Sequence, residues 1–110
     1  MNKEDLFYLR EAFEDLLNYE ADDLNDPIDP LTYKTPEGDS CLHLAAQRGD
    51  LRAARLLVFA GVDVNTRGDM GSTPLHLACQ ADKVEMIDLL IKLGADKSLV
   101  DEFGRPPAFR

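Results

Sequence analysis

The sequence predicts an all-α fold: a solenoid of helix-turn-helix units with short hairpin loops between them and a capping helix at the amino end. Three observations point there. An internal echo is the first: Gly38-Asp39-Ser40-Cys41-Leu42-His43-Leu44-Ala45-Ala46-Gln47 returns as Gly71-Ser72-Thr73-Pro74-Leu75-His76-Leu77-Ala78-Cys79-Gln80. Laying 38–70 over 71–103 without a gap gives 10 identities in 33 positions, and Val58 for Ile91 or Leu51 for Val84 keeps the exchange apolar. A fixed period of this length marks units that cannot bury their apolar face alone and therefore stack. The second observation is punctuation, since Gly61 and Gly94 fall where a helix must stop. The third is an apolar stripe near the amino terminus.

That stripe is Leu6, Leu9, Phe13, Leu16 and Leu17, at three- and four-residue steps, and it predicts a helix from Lys3 to about Tyr19. Asn2 suits its N-cap, and Glu4 and Asp5 suit the positive end of its dipole. Residues 20–36 contain Pro27, Pro30 and Pro36 without periodicity and read as a loop. Within it, Ile28-Asp29-Pro30-Leu31-Thr32 is similar to Val62-Asp63-Val64-Asn65-Thr66, so the amino-terminal helix is expected to be a degenerate repeat turned cap.

The first full unit, 37–69, places Ser40 to cap a helix from Cys41 to about Arg48. Gly49 breaks it, Asp50 caps a second helix from Leu51 to Ala60, and Gly61 supplies the left-handed stop. The second unit, 70–102, uses Thr73 with Pro74 at the first helical position, where its missing N–H costs nothing. Its helices run to about Ala81 and from Lys83 to Leu93. Segments 62–72 and 95–104 are expected to project as hairpin-like fingers. A third unit opens at 103–110 and goes no further. Either Phe109 folds back over the end, or another chain or a longer parent continues the stack. The boundaries are thus 1–36 for cap and loop and 37–110 for repeats.

At 110 residues, 45% apolar and 30% charged, the chain has the composition of an ordinary soluble domain with one elongated core. No apolar run is long enough to cross a bilayer, and the acidic amino terminus lacks the bases that open a signal peptide. A cytoplasmic location is expected. Cys41 and Cys79 read as buried free thiols in a reducing compartment. The net charge of −9 is lopsided: residues 1–36 hold ten acids against three bases. Nucleic acid and anionic membrane are disfavoured as partners, since both need a basic face. A basic protein surface is what this field would steer in.

Thr73-Pro74-Leu75-His76-Leu77-Ala78, with Gly61-Val62-Asp63-Val64-Asn65 and Gly94-Ala95-Asp96 as unit endings, resembles the ankyrin repeat. The resemblance covers about Thr35 to Phe103. Cys41 replaces the motif's proline and Asp82 the inter-helix glycine. It implies a hairpin and two antiparallel helices per unit, a protein-binding role, and no enzymatic activity. It also implies contact through the finger tips and inner helices, here Glu37, Asp39, Gln47, Arg48, Asp69, Met70, Ser72, Gln80, Ala81, Glu102, Phe103 and Arg105. Met70 and Phe103 would be apolar anchors and Glu37, Asp39, Asp69 and Glu102 the electrostatic complement.

Other chemistry is weakly supported. Cys41, His43, His76 and Cys79 hold zinc-ligand types, but the period puts both His at one repeat position, where the family's His bonds the neighbouring backbone. The acidic run Asp22-Asp23-Leu24-Asn25-Asp26 lacks the glycine and terminal Glu of a calcium loop. No metal, cofactor or catalytic residue is expected. Arg52 and Arg55 map by the period onto Glu85 and Asp88, so ion pairs across the repeat boundary are expected. The expectation is a monomer, or a stack completed at its carboxy end by another chain, that binds a basic protein. The alternative is an acidic inhibitor of the immunity-protein or antitoxin type that plugs a toxin or nuclease cleft.

Overall fold

Side chains that satisfy the first free amides of a helix decide where most of the helices begin. The computed structural model describes residues 1–18, 21–23 and 26–108. Among these lie α1 (Lys3–Ala12), α2 (Cys41–Arg48), α3 (Leu51–Phe59), α4 (Pro74–Gln80) and α5 (Val84–Lys92). Asn2, Ser40, Asp50 and Thr73 each accept a backbone N–H of the first turn of α1, α2, α3 and α4. At the inter-helix stops Gly49 takes φ 75° and Asp82 takes φ 55°. Asp is among the few residues that tolerate this left-handed region, so the lost glycine does not break the second unit.

The helices form two layers. α2 packs on α4 in the inner layer, and α3 lies between α1 and α5 in the outer one. Their shared core is elongated, in a molecule of 40 × 27 × 21 Å. Leu42 and Leu75 are both buried, as are Leu57 and Leu90, so equivalent positions occupy equivalent sites. Ala45, Ala46, Ala53, Ala54 and Ala78 are buried as well, and their small side chains let neighbouring helices approach closely. Cys41 and Cys79 are buried free thiols, and burial pushes the Cys41 thiol up to about 12.

The turn after each outer helix repeats three times. Asp29, Asp63 and Asp96 accept from the N–H two residues on, at 3.0, 2.9 and 2.8 Å. Such Asx turns need only a short acceptor side chain, so the likeness of 28–32 to 62–66 extends to backbone geometry. Asn65 Oδ1 also accepts the Asp96 N–H at 2.8 Å, tying one turn to the next.

Two expectations change. α1 ends at Ala12, well before Tyr19, which lies outside the described residues. Arg48 is the reason: its guanidinium donates to the Ala12 carbonyl at 2.9 Å and pairs with Asp15 at 2.8 Å. A cation on the last carbonyls suits the helix dipole, and Leu16 N–H turns instead to Phe13 O at 3.1 Å. Leu17, expected on the buried stripe, is therefore exposed. The second change concerns α3. Among the described residues no ion pair joins Arg52 or Arg55 to Glu85 or Asp88; Arg52 turns to α1, stacking 4.3 Å from the Tyr8 ring centre and 3.7 Å from Asp5. Tyr8 in turn donates to Asp50, the α3 cap, at 2.7 Å. At the other end Pro107 is buried and Ala108 lies beside Cys79, Val84, Ile87 and Ile91. Phe109, proposed as a lid, is outside the described residues.

α1 is thus docked by a buried aromatic and by polar clasps. Phe13 is 1% exposed. Phe13→Ala should destabilise the fold by ~3–5 kcal/mol in chemical denaturation, and an unchanged midpoint would show that α1 does not pack on the stack.

Candidate functional site

Three fingers share one hydrogen-bond pattern at the repeat period. Thr35 N–H donates to Asp39 O at 2.8 Å, Gly68 N–H to Ser72 O at 2.8 Å and Asp101 N–H to Arg105 O at 2.9 Å. Each tip is closed by a glycine of positive φ: Gly38, Gly71 and Gly104. The fingers are hairpin-like turns, and an isolated bridge from Lys34 to Ser40 is the strand-type pairing among the described residues.

Histidine sets their spacing. Nδ1 of His43 accepts the Ser40 N–H at 3.1 Å, and Nδ1 of His76 accepts the Thr73 N–H at 3.1 Å. The opposite ring nitrogens reach the following finger: His43 Nε2 lies 2.8 Å from Ser72 O and His76 Nε2 lies 2.9 Å from Arg105 O. A carbonyl can only accept, so Nε2 carries the proton in both rings. Each imidazole therefore caps its own helix and holds the base of the next finger. Burial lowers the His43 pKa below its ordinary 6.5, against an opposing pull from the Ser72 carbonyl and Asp39. The two imidazoles are spent on backbone carbonyls of different fingers. No group of three or more His, Cys, Asp or Glu among the described residues is arranged to hold a metal.

One side-chain bond and one backbone bond lock finger to finger. Asp39 Oδ1 accepts the Asp69 N–H at 2.9 Å, and Glu102 N–H donates to Met70 O at 2.9 Å. The first of these contacts explains Gly68. A Cβ there would sit 2.3 Å from Asp39 Oδ1 and 2.8 Å from His43 Nε2, so no larger residue fits.

The anticipated contact residues divide on this frame. Glu37, Gln47, Gln80, Glu102 and Arg105 are exposed, while Asp69 and Ala81 are half-buried. Met70 is 53% and Phe103 63% exposed. Met70 also holds φ 56°, a left-handed conformation that costs a non-glycine residue ~1–2 kcal/mol. Three others serve the fold. Ser72 is buried with its carbonyl taken by His43; Arg48 is tied to α1; Asp39 is half-buried beneath the second finger.

Some finger residues carried no signal in the repeat pattern. Arg67 donates to the carbonyls of Gly71 and Val100, bridging two fingers. Asp101 is buried and accepts from Phe103 N–H at 2.9 Å and Arg105 N–H at 3.0 Å, bonds that hold its carboxyl below the usual range. Arg105 then lies 4.9 Å from the Phe103 ring centre. Arg67 maps onto Val100 and Asp101 onto Gly68, so neither role recurs where the period would announce it.

A family model described as ankyrin repeats, in three copies, matches residues 7–101, and so takes in most of the acidic amino-terminal segment. No curated protein matches the chain.

Because His43 is harder to protonate folded than unfolded, its contribution is present above pH 6.5 and shrinks as pH falls below that value. The stability gap between wild type and His43→Gln should narrow from pH 7.5 to pH 5 in denaturant titrations. A gap that stays constant would contradict a buried neutral imidazole.

Proposed function

The chain belongs to the ankyrin-repeat family, a family of protein-binding modules, and we propose that it grips a protein partner with a basic surface through its finger tips. One observation supports this reading above the rest. Each finger carries a carboxylate with no ion pair among the described residues, at Glu37, Asp69 and Glu102, and two tips add an exposed apolar side chain, Met70 and Phe103. Two neighbouring bases are already engaged, Arg67 on carbonyls and Arg105 on Asp101 at 3.1 Å. The tips therefore offer unneutralised negative charge around two anchors.

Complementary charge of this kind speeds encounter, and desolvated apolar anchors hold the complex. Gln47, Gln80 and Ala81 on the inner helices extend the same surface. No helix among the described residues is long and apolar enough to cross a membrane. The cytoplasm, where buried free thiols persist, is the compartment we assign.

The experiment is affinity capture from the native cell with two baits. Wild type should retain a basic protein whose association slows as salt rises. Bait carrying Glu37→Lys, Glu102→Lys and Met70→Gly should lose it, with thermal stability unchanged or raised by up to about 1 kcal/mol because glycine relieves the strain at position 70. Equal capture by both baits would remove the fingers as the contact surface. Loss of the captured protein's own activity on binding would select the inhibitor over the passive module.

A further inference from the structure

The amino-terminal end of the stack carries a groove that shares no lining residue with the fingers. Its volume is about 430 Å³, and it lies between α1 and the loop at 26–28. Phe13 and Ile28, 1% and 7% exposed, form its floor, and Phe7, 62% exposed, stands at its edge. Phe7, Arg10 and Glu11 fall at helical spacing on a face of α1 distinct from the one that buries Leu9, and Glu14 follows in the turn just past the helix end. A large aromatic side chain held on a regular helix beside an apolar floor has the form of an unfilled contact.

Charge selects the occupant. The lining carries Glu11, Glu14 and Asp26 against Arg10 alone, and none of the four enters an ion pair among the described residues. A second copy of the chain is a poor fit. The groove at the opposite end is also apolar, with Val84, Ile87 and Ile91, and carries Asp82 and Asp88. End-to-end association would set carboxylates against carboxylates, at a cost that grows as water is excluded. The wanted partner has apolar residues in line and bases beside them. Glu11 stands one helical turn beyond Phe7, with Glu14 just past the end of α1, so the two carboxylates flank the aromatic side chain where a second helix would present its own Lys or Arg.

We propose that this groove docks a basic amphipathic helix of a partner protein. Its apolar face lies on Phe7, Phe13 and Ile28, and its Lys or Arg side chains meet Glu11, Glu14 and Asp26. The site is separate from the fingers and stands or falls without them.

The test titrates isotope-labelled protein with two short synthetic helices of one amphipathic pattern, built of Leu and Lys or of Leu and Glu. Amide shifts on adding the Leu/Lys peptide should centre on α1 and 26–28, and the Leu/Glu peptide should give none. Phe7→Ala should weaken binding at least about tenfold. Glu11→Gln with Glu14→Gln should weaken it and flatten its salt dependence, which also serves if Phe7→Ala disturbs the fold. Glu37→Lys with Glu102→Lys should leave it unchanged, which separates this site from the finger reading. Absence of binding, shifts centred on the fingers, or equal binding by both peptides would overturn the proposal.

Discussion

One buried imidazole per unit holds this architecture in register. A helix start leaves amides without partners, and a neighbouring finger leaves a carbonyl without one. His43 satisfies both sides at once, as an acceptor toward Ser40 and a donor toward Ser72. His76 does the same between Thr73 and Arg105. No other neutral side chain offers an acceptor and a donor on opposite edges of one rigid ring. Removing it would strand two buried backbone groups, each costing ~1–3 kcal/mol.

This bond carries the fold toward its use. Because the imidazole grips the carbonyl at the base of a finger, the tip beyond it projects at a defined distance from the inner helix. Asp39 adds a second tie to Asp69, and the close approach at Gly68 leaves no slack. A surface already ordered before contact loses little conformational freedom on binding. Met70, held at φ 56°, fits such a frame, because surrounding bonds rather than its own preference fix its backbone.

Much of this was legible in the residues. The four repeat helices were readable because their caps and stops are local: Ser40, Asp50, Thr73, Gly61 and Gly94 act within a few positions of themselves. α1 was readable in kind but not in length, because a distant residue, Arg48, captures the Ala12 carbonyl. The period misled at Arg52, which maps onto Glu85 yet finds Tyr8 and Asp5 nearer. It misled also at the contact surface, since a repeat position says which side a residue faces and not whether it is spent. Ser72 and Asp39 face the fingers and are consumed by them. The groove beside Phe7 lies in the degenerate amino-terminal unit, where pairing of α1 with the 26–28 loop depends on tertiary placement.

Histidine-selective ¹⁵N NMR at neutral pH tests the bridging role most directly, because ring nitrogen shifts distinguish a protonated from an unprotonated nitrogen. The account predicts that both imidazoles are held as the Nε2–H tautomer, each with a slowly exchanging ring proton. A rapidly averaged mixture of tautomers, as in a free imidazole, or a proton on Nδ1 would contradict it.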